Sequence, residues 1–347
     1  MKLPVHAGDN FKFPVDPFTD ITYYRENFRS PPGGRYFSMP FGLKDLILMM
    51  VVYASMVTGI LCPGFCASFQ PLPVYFLMAL FFLSFLSIEL DDVWRTFRES
   101  SGIIAAFVVL KLVVVPVILY YVFRVIAPSY AVAALLLGGI STGVVAPFVS
   151  NLVRGNSPLV LVVVVITSAL IPFTLPALIK LLLSREVEIS LMAMVWMLAL
   201  VIFVPIAAVQ VLRRLAPAFL KGVMRMNFPL SLFLFAAINL GIFSRYSDFL
   251  RQAPFTIVMA TVVAIALSVI FCLTGILFFL GRPVEDQLAG AVMLGNMNNV
   301  LVLVFSSEFF TPIEPMVAAM YLIPFFGLVI PLRYYDQRRR ARVSASP

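Results

Sequence analysis

Apolar stretches of about 20 residues follow one another from residue 44 almost to the C-terminus, and this recurrence leaves few folds open. A helix rises about 1.5 Å per residue, so each stretch matches the roughly 30 Å hydrocarbon core of a bilayer. They lie near 44–63, 72–90, 102–125, 129–152, 157–181, 188–211, 228–244, 255–280, 286–307 and 313–333. The reading is an all-α polytopic membrane protein with ten transmembrane helices. Composition agrees: 61% of the residues are hydrophobic, 12% are charged and mean hydropathy is +1.01. Soluble domains carry about 25% charged residues. A soluble enzyme, a disordered chain and a nucleic-acid binder are thereby excluded, despite a net charge of +8.

The single histidine, His6, lies in the N-terminal tail, so neither an embedded histidine metal site nor a Ser-His-Asp triad is available. Cys62 and Cys66 share an uncharged loop and read as ordinary thiols. The first residues lack the basic and short apolar regions of a cleaved signal peptide. Ten spans put both termini on one side, and positive charge selects which. With the termini inside, inside segments hold 19 Lys and Arg and outside loops hold 5. The expectation is a multi-pass protein of the plasma membrane (bacterial inner membrane) with both termini cytoplasmic. Residues 1–43 form a cytosolic tail and 336–347 a basic one, able to touch anionic membrane lipid.

The sequence repeats itself at an offset of 152. Leu170-Ile171-Pro172-Phe173 falls on Leu322-Ile323-Pro324-Phe325, Gly138 on Gly290 and Gly143 on Gly295. Residues 44–183 and 184–335 are then two five-helix repeats. An odd number of spans inverts the second relative to the first, a transporter design with its site near the midplane. The fourth and ninth spans read as discontinuous. One contains Gly138, Gly139, Ser141, Thr142, Gly143 and Pro147; the other contains Gly290, Gly295, Asn296, Asn298 and Asn299. Glycine and proline weaken helices, and three amides facing lipid would be costly. Unwound backbone and amides are tolerated where they line a polar cavity. Ser141, Thr142, Gly143, Gly295, Asn296, Asn298 and Asn299 are therefore candidate substrate- or ion-binding residues. Pro172, Pro176, Pro324 and Pro331 predict kinks in the fifth and tenth spans.

Several stretches together resemble the bile acid:sodium symporter family and its wider bile-acid, arsenite and organic-anion superfamily. They are Leu86 to Arg95, Lys111 to Pro116, Asn151 to Asn156 and Gly295 to Asn299, in that order across residues 44–335. The resemblance implies panel and core domains, with helices 4 and 9 crossing where they unwind, and coupled uptake of organic anions by alternating access. It brings Asn151 into the candidate set. It also exposes departures. Where sodium-coupled members carry a glutamate and a glutamine around the glycine, this chain has Met293 and Met297; hydroxyl ligands early in helix 5 fall on Val160 and Val164.

Lys111 stands where those members have a sodium-holding glutamine, five residues before Pro116. It lies ten residues from Ser101 and thirteen from Arg124, about 15–20 Å of helix from either surface, too deep to snorkel easily. A central lysine costs about 2.5–3.5 kcal/mol on insertion scales. No Asp or Glu lies in the middle of another predicted span to offset it. Its ammonium is expected to replace the coupling cation, to hold unwound carbonyls near Gly295–Asn299 and to attract an anionic substrate. By exchanging its proton it could couple transport to H⁺, with Na⁺ the other coupling ion in view. No resident cofactor or metal is expected. The reading is a non-enzymatic secondary transporter of small organic anions, with helix dipoles at the two breaks aimed at anionic groups. Two alternatives are a sodium-coupled bile-acid-like symporter and an intramembrane hydrolase in which Lys111 activates Ser141.

Overall fold

The computed structural model describes residues 43–345 apart from Ser87, Glu89 and residues 184–189. Residues 1–42 of the predicted tail, Glu89 and the side chains of Asp91 and Asp92 lie outside the described residues. The described residues are mostly helical, and none belongs to a strand. The principal helices are α1 (Leu43–Leu61), α2 (Pro73–Phe85), α3 (Leu90–Val109), α4 (Val115–Ile126), α5 (Ala131–Gly139), α6 (Ala146–Leu152), α7 (Ser157–Leu183) and α8 (Leu191–Leu215). They continue with α9 (Asn227–Arg245), α10 (Pro254–Phe278), α11 (Val284–Gly295), α12 (Asn299–Phe309), α13 (Ile313–Met320), α14 (Leu322–Gly327) and α15 (Val329–Ala345).

Six helices are long and apolar enough to cross a membrane: Ser100–Ile126, Ser157–Leu183, Leu191–Leu215, Asn227–Arg245, Pro254–Phe278 and Ile313–Ala341. A seventh appears if Leu46–Leu61 is joined to Pro63–Phe69 across a 111° bend. This is fewer than ten because α2 and α12 are short apolar helices and the stretches 129–152 and 286–307 are each split in two. The third span, Ser100–Ile126, matches its apolar run, and a charged helical segment from Leu90 precedes it across a kink at Ser100, where the backbone leaves helical geometry. Large apolar side chains such as Val125, Leu181, Phe255 and Leu277 remain well exposed. Such a coat is stable against lipid, and the chain is a multi-pass membrane protein.

The helices pack in two groups. One contains α1, α2, α8 and α9; the other contains α3 to α7 and α10 to α14. Within the first, Arg213 donates to the carbonyls of Leu86 (2.9 Å) and Ile88 (2.9 Å), closing the end of α2. The groups meet where α8 packs on α7 and where α12 packs on α2 and α9. There Tyr246 donates to the Ser307 carbonyl at 2.9 Å, and Arg245 lies 3.5 Å from Glu308. Cys62, Cys66 and Cys272 are free thiols. α7 continues through Pro172 and Pro176, and the tenth span, Ile313–Ala341, runs on past Pro324 and Pro331 with Tyr321 and Leu328 still in the right-handed helical region.

The closest packing joins α10 to α11. A Cβ on Gly275 would lie 2.2 Å from the Gly290 carbonyl oxygen, and one on Gly290 would lie 2.3 Å from the Gly275 oxygen. Neither backbone can yield without separating the helices. Gly138 and Gly139 likewise admit Pro116 of α4 against α5. Two of the glycines matched at the 152-residue offset, Gly138 and Gly290, thus serve helix contact. Gly290→Ala is expected to cost about 1–3 kcal/mol through overpacking. A fall of several degrees in the heat-denaturation midpoint would register it, with Gly102→Ala, which meets nothing within 4 Å, unchanged as control.

Candidate functional site

The fourth span unwinds after Gly139: Ile140 is extended (φ −73°, ψ 159°), and helix resumes at Ala146, with Pro147 in the first turn. The ninth unwinds after Gly295 at Asn296 (φ −99°, ψ 72°) and resumes at Asn299. Local sequence explains both. Pro147 cannot donate back into α5, and Asn298 caps α12 by accepting from the Leu301 N–H at 3.2 Å.

The two breaks bond to each other. Gly143 N–H donates to the Asn296 carbonyl (2.8 Å), and Asn298 N–H donates to the Ser141 carbonyl (2.9 Å). Thr142 and Met297 sit between as an isolated antiparallel bridge. A Cβ on Gly143 would come within 2.7 Å of the Met297 carbonyl oxygen, so this approach needs glycine. Neighbouring side chains finish the backbone pairing. Thr167 Oγ1 accepts from Thr142 N–H (3.1 Å), and Thr142 Oγ1 donates to the Met293 carbonyl (2.8 Å). Tyr321 donates to the Gly295 carbonyl (2.8 Å), and Asn296 Nδ2 donates to the Phe325 carbonyl (3.2 Å).

Several buried polar atoms have no partner among the described residues: Ser141 Oγ, Asn296 Oδ1 and both amide atoms of Asn299, with Ser150 Oγ and Ser168 Oγ nearby in sequence. Each such orphan costs about 1–3 kcal/mol unless a ligand or water meets it. Their concentration at the two breaks marks a polar site inside an apolar body.

Lys111 is 1% exposed, while Val109 and Val113 on the same helix are 55% and 41% exposed. The lysine therefore faces inward and its neighbours face lipid. It lies in a π turn, Leu110–Val114, where Val115 N–H reaches back to the Leu110 carbonyl. Pro116, which has no N–H, follows directly, and such turns recur at functional sites. The turn packs on α5, whose end forms the first break, and on α7, which carries Thr167. Among the described residues the ammonium has no hydrogen bond and no ion pair. The carbonyls expected to meet it are otherwise engaged in this conformation: Gly295 with Tyr321 and Asn296 with Gly143. No hydrogen bond joins Lys111 to Ser141, as a Ser-Lys hydrolase would need.

The structure brings Ser141, Thr142, Gly143, Gly295, Asn296, Asn298 and Asn299 together. Asn151 is apart, in the last turn of α6, where its Oδ1 accepts from Ser157 at the start of α7 (2.6 Å). Thr167 and Tyr321 escaped the sequence reading. The signals were a Thr167-Ser168 pair inside the apolar run of α7, and a tyrosine just before the repeated Leu322-Ile323-Pro324-Phe325.

A family model described as the Sodium Bile acid symporter family matches residues 74–253. The chain belongs to this family. A search of curated proteins gives no significant match. The family match covers the first break and Lys111 and ends before the second break. Family membership makes solute transport across a membrane the coarse function and speaks against an enzyme. At the positions where the family resemblance puts sodium ligands, Met293, Met297, Val160 and Val164 are all fully buried and offer no hard oxygen from their side chains. Among the described residues no cluster of three His, Cys, Asp or Glu forms a metal site.

Gly143→Ala tests the bridge. Its methyl would push the Met297 carbonyl away, at about 1–3 kcal/mol. Transport is expected to drop strongly, with Gly222→Ala, which meets nothing within 4 Å, as the silent control. Equal uptake by the two variants would show the bridge is dispensable.

Proposed function

We propose that this protein is a secondary transporter of small organic anions, with ten spans arranged as two inverted five-helix halves and alternating access at the crossover of spans four and nine. The observation that carries the reading is the reciprocal bonding of two unwound segments around orphan polar atoms. Thr142 and Met297, the centres of the breaks, are 155 residues apart, close to the sequence offset of 152. That near-agreement supports a common origin for the halves. Their half-helices also pair antiparallel across the bridge, α6 with α11 on one side and α5 with α12 on the other.

Lys111 is the fixed positive charge of the site and stands where relatives bind a coupling cation. Sodium sheds its water only for oxygen ligands. Buried methionine and valine side chains favour a sodium-independent cycle, driven by H⁺ or by exchange. Ser141, Asn296 and Asn299 supply hydrogen bonds to the solute, and the N-terminus of α12 adds partial positive charge. The protein resides in the bacterial inner membrane with both termini cytoplasmic.

Uptake into proteoliposomes from a panel of organic anions, with Na⁺ replaced by K⁺ and with or without a pH gradient, tests the proposal. Transport is expected to survive sodium removal. Lys111→Ala removes a charged hydrogen-bond donor worth about 1.5–3 kcal/mol, about tenfold or more in uptake. Lys111→Gln is expected to lose any response to the pH gradient. Strict sodium dependence together with unchanged transport by Lys111→Ala would overturn it.

A further inference from the structure

Away from the crossover, a cavity of about 770 Å³ opens where the turn between α10 and α11 meets α15. Its wall includes Leu280, Arg282, Glu285, Gln287, Arg339 and Arg340, three arginines against one carboxylate. The arginines are not equivalent. Arg340 is committed, 2.6 Å from Asp336 and 2.7 Å from Glu285, and it answers the cavity's one acid. Arg339 is held through Nε by the Tyr335 hydroxyl at 3.0 Å, and its two terminal nitrogens carry no protein partner among the described residues. Arg282 is half exposed and only loosely paired, 3.7 Å from Asp286. Two guanidinium groups with N–H to spare therefore flank the opening.

The surroundings say what kind of anion fits. The cavity lies just past the end of α10, a 25-residue apolar helix of membrane-spanning length. Leu277 and Leu280, 63% and 57% exposed, continue its apolar wall up to the arginines. A freely soluble anion gains nothing from that wall. An amphiphile with a negative head and hydrocarbon tails uses both parts.

We infer that this cavity binds the headgroup of an anionic phospholipid, its phosphate between Arg282 and Arg339 and an acyl chain along Leu277 and Leu280. Guanidinium groups pair phosphate oxygens in two-pronged fashion, and basic pockets at the membrane edge select acidic lipids. The bound lipid would tie α15 to α11. Tyr335 already donates to Gln287 there, and Arg333 donates to the Leu152 carbonyl of α6 at 3.0 Å. The site is thus coupled to one half of each broken span.

The test uses the purified full chain in detergent and in nanodiscs. Native mass spectrometry compares retention of phosphatidylglycerol and phosphatidylcholine by the wild type and by Arg282→Gln/Arg339→Gln, which leaves Arg340 and its partners intact. Wild type is expected to keep phosphatidylglycerol preferentially, and the double variant to keep at least about fivefold less. The wild type alone supplies a second reading: its heat-denaturation midpoint should rise with phosphatidylglycerol and stay flat with phosphatidylcholine. Equal retention of the two lipids, or equal retention by wild type and variant, overturns the inference. A rise with millimolar inorganic phosphate and no preference between lipids also overturns it, since the site would then take a free anion.

Discussion

Two stretches of unwound backbone lie buried in a body that faces lipid, and their peptide groups cannot be left unpaired. Water is scarce there, and a lost backbone hydrogen bond costs several kcal/mol in hydrocarbon. The breaks solve this for each other, Gly143 with Asn296 and Asn298 with Ser141. Among the described residues each break supplies main-chain partners to the other. The rest of the second helical group serves this contact. Gly275 and Gly290 bring α10 against α11, Gly138 and Gly139 admit Pro116, and Tyr321 and Thr167 satisfy the groups the bridge leaves over.

Reciprocal backbone pairing has a chemical consequence. Because the main chains satisfy one another, the amides and hydroxyls around them need not be spent on structure. Thr142 and Asn298 are spent nonetheless, one on the Met293 carbonyl and one on capping α12. Ser141, Asn299 and the Asn296 oxygen are not. The positions where the family resemblance puts sodium ligands carry thioethers and valines, and the buried Lys111 ammonium sits in the turn before α4. On the proposed reading such a tethered charge does not leave with the cargo, and an ion gradient acts on it only through its proton.

Much of this was legible from residues, for particular reasons. Glycine, proline and asparagine clustered at Gly138–Pro147 and Gly290–Asn299 announced the breaks, because those residues are poor helix formers in an otherwise uniform apolar run. Lys111 announced itself by depth. Other parts were hidden by the same logic. The first turns of α3 are charged, so hydropathy found the span from Ser100 but not the helical segment that precedes its kink. Asn151, a candidate through its motif, accepts from Ser157 at the start of α7, a partner that no local pattern announces. Thr167 and Tyr321 are ordinary helix residues whose importance comes from what packs opposite them, and no local pattern encodes that. The division of the glycines between helix contact and bridge was equally out of reach, since Gly138 and Gly143 look alike until Pro116 and Met297 are in place opposite them.

The far end of the molecule gives the crossover its mechanical context. Asn156 ties the α6–α7 turn to α11, with its N–H on the Glu285 carbonyl and its amide on Asp286 at 2.8 Å. Arg333, Tyr335 and Arg340 of α15 then bind the same two half-helices from outside. So α6 and α11 are fastened together at both ends, at the bridge and at this clasp. On the opposite side, α12 also touches the other helical group through Ser307 and Glu308. The second group is thus braced at both ends of α6 and α11, and it meets the first through α12 and through α7 against α8. Since the exposed ion pairs in the clasp are individually weak, about 0–1 kcal/mol, its rigidity rests on the number of bonds converging on α15 and on the buried carboxylate of Asp336 among them.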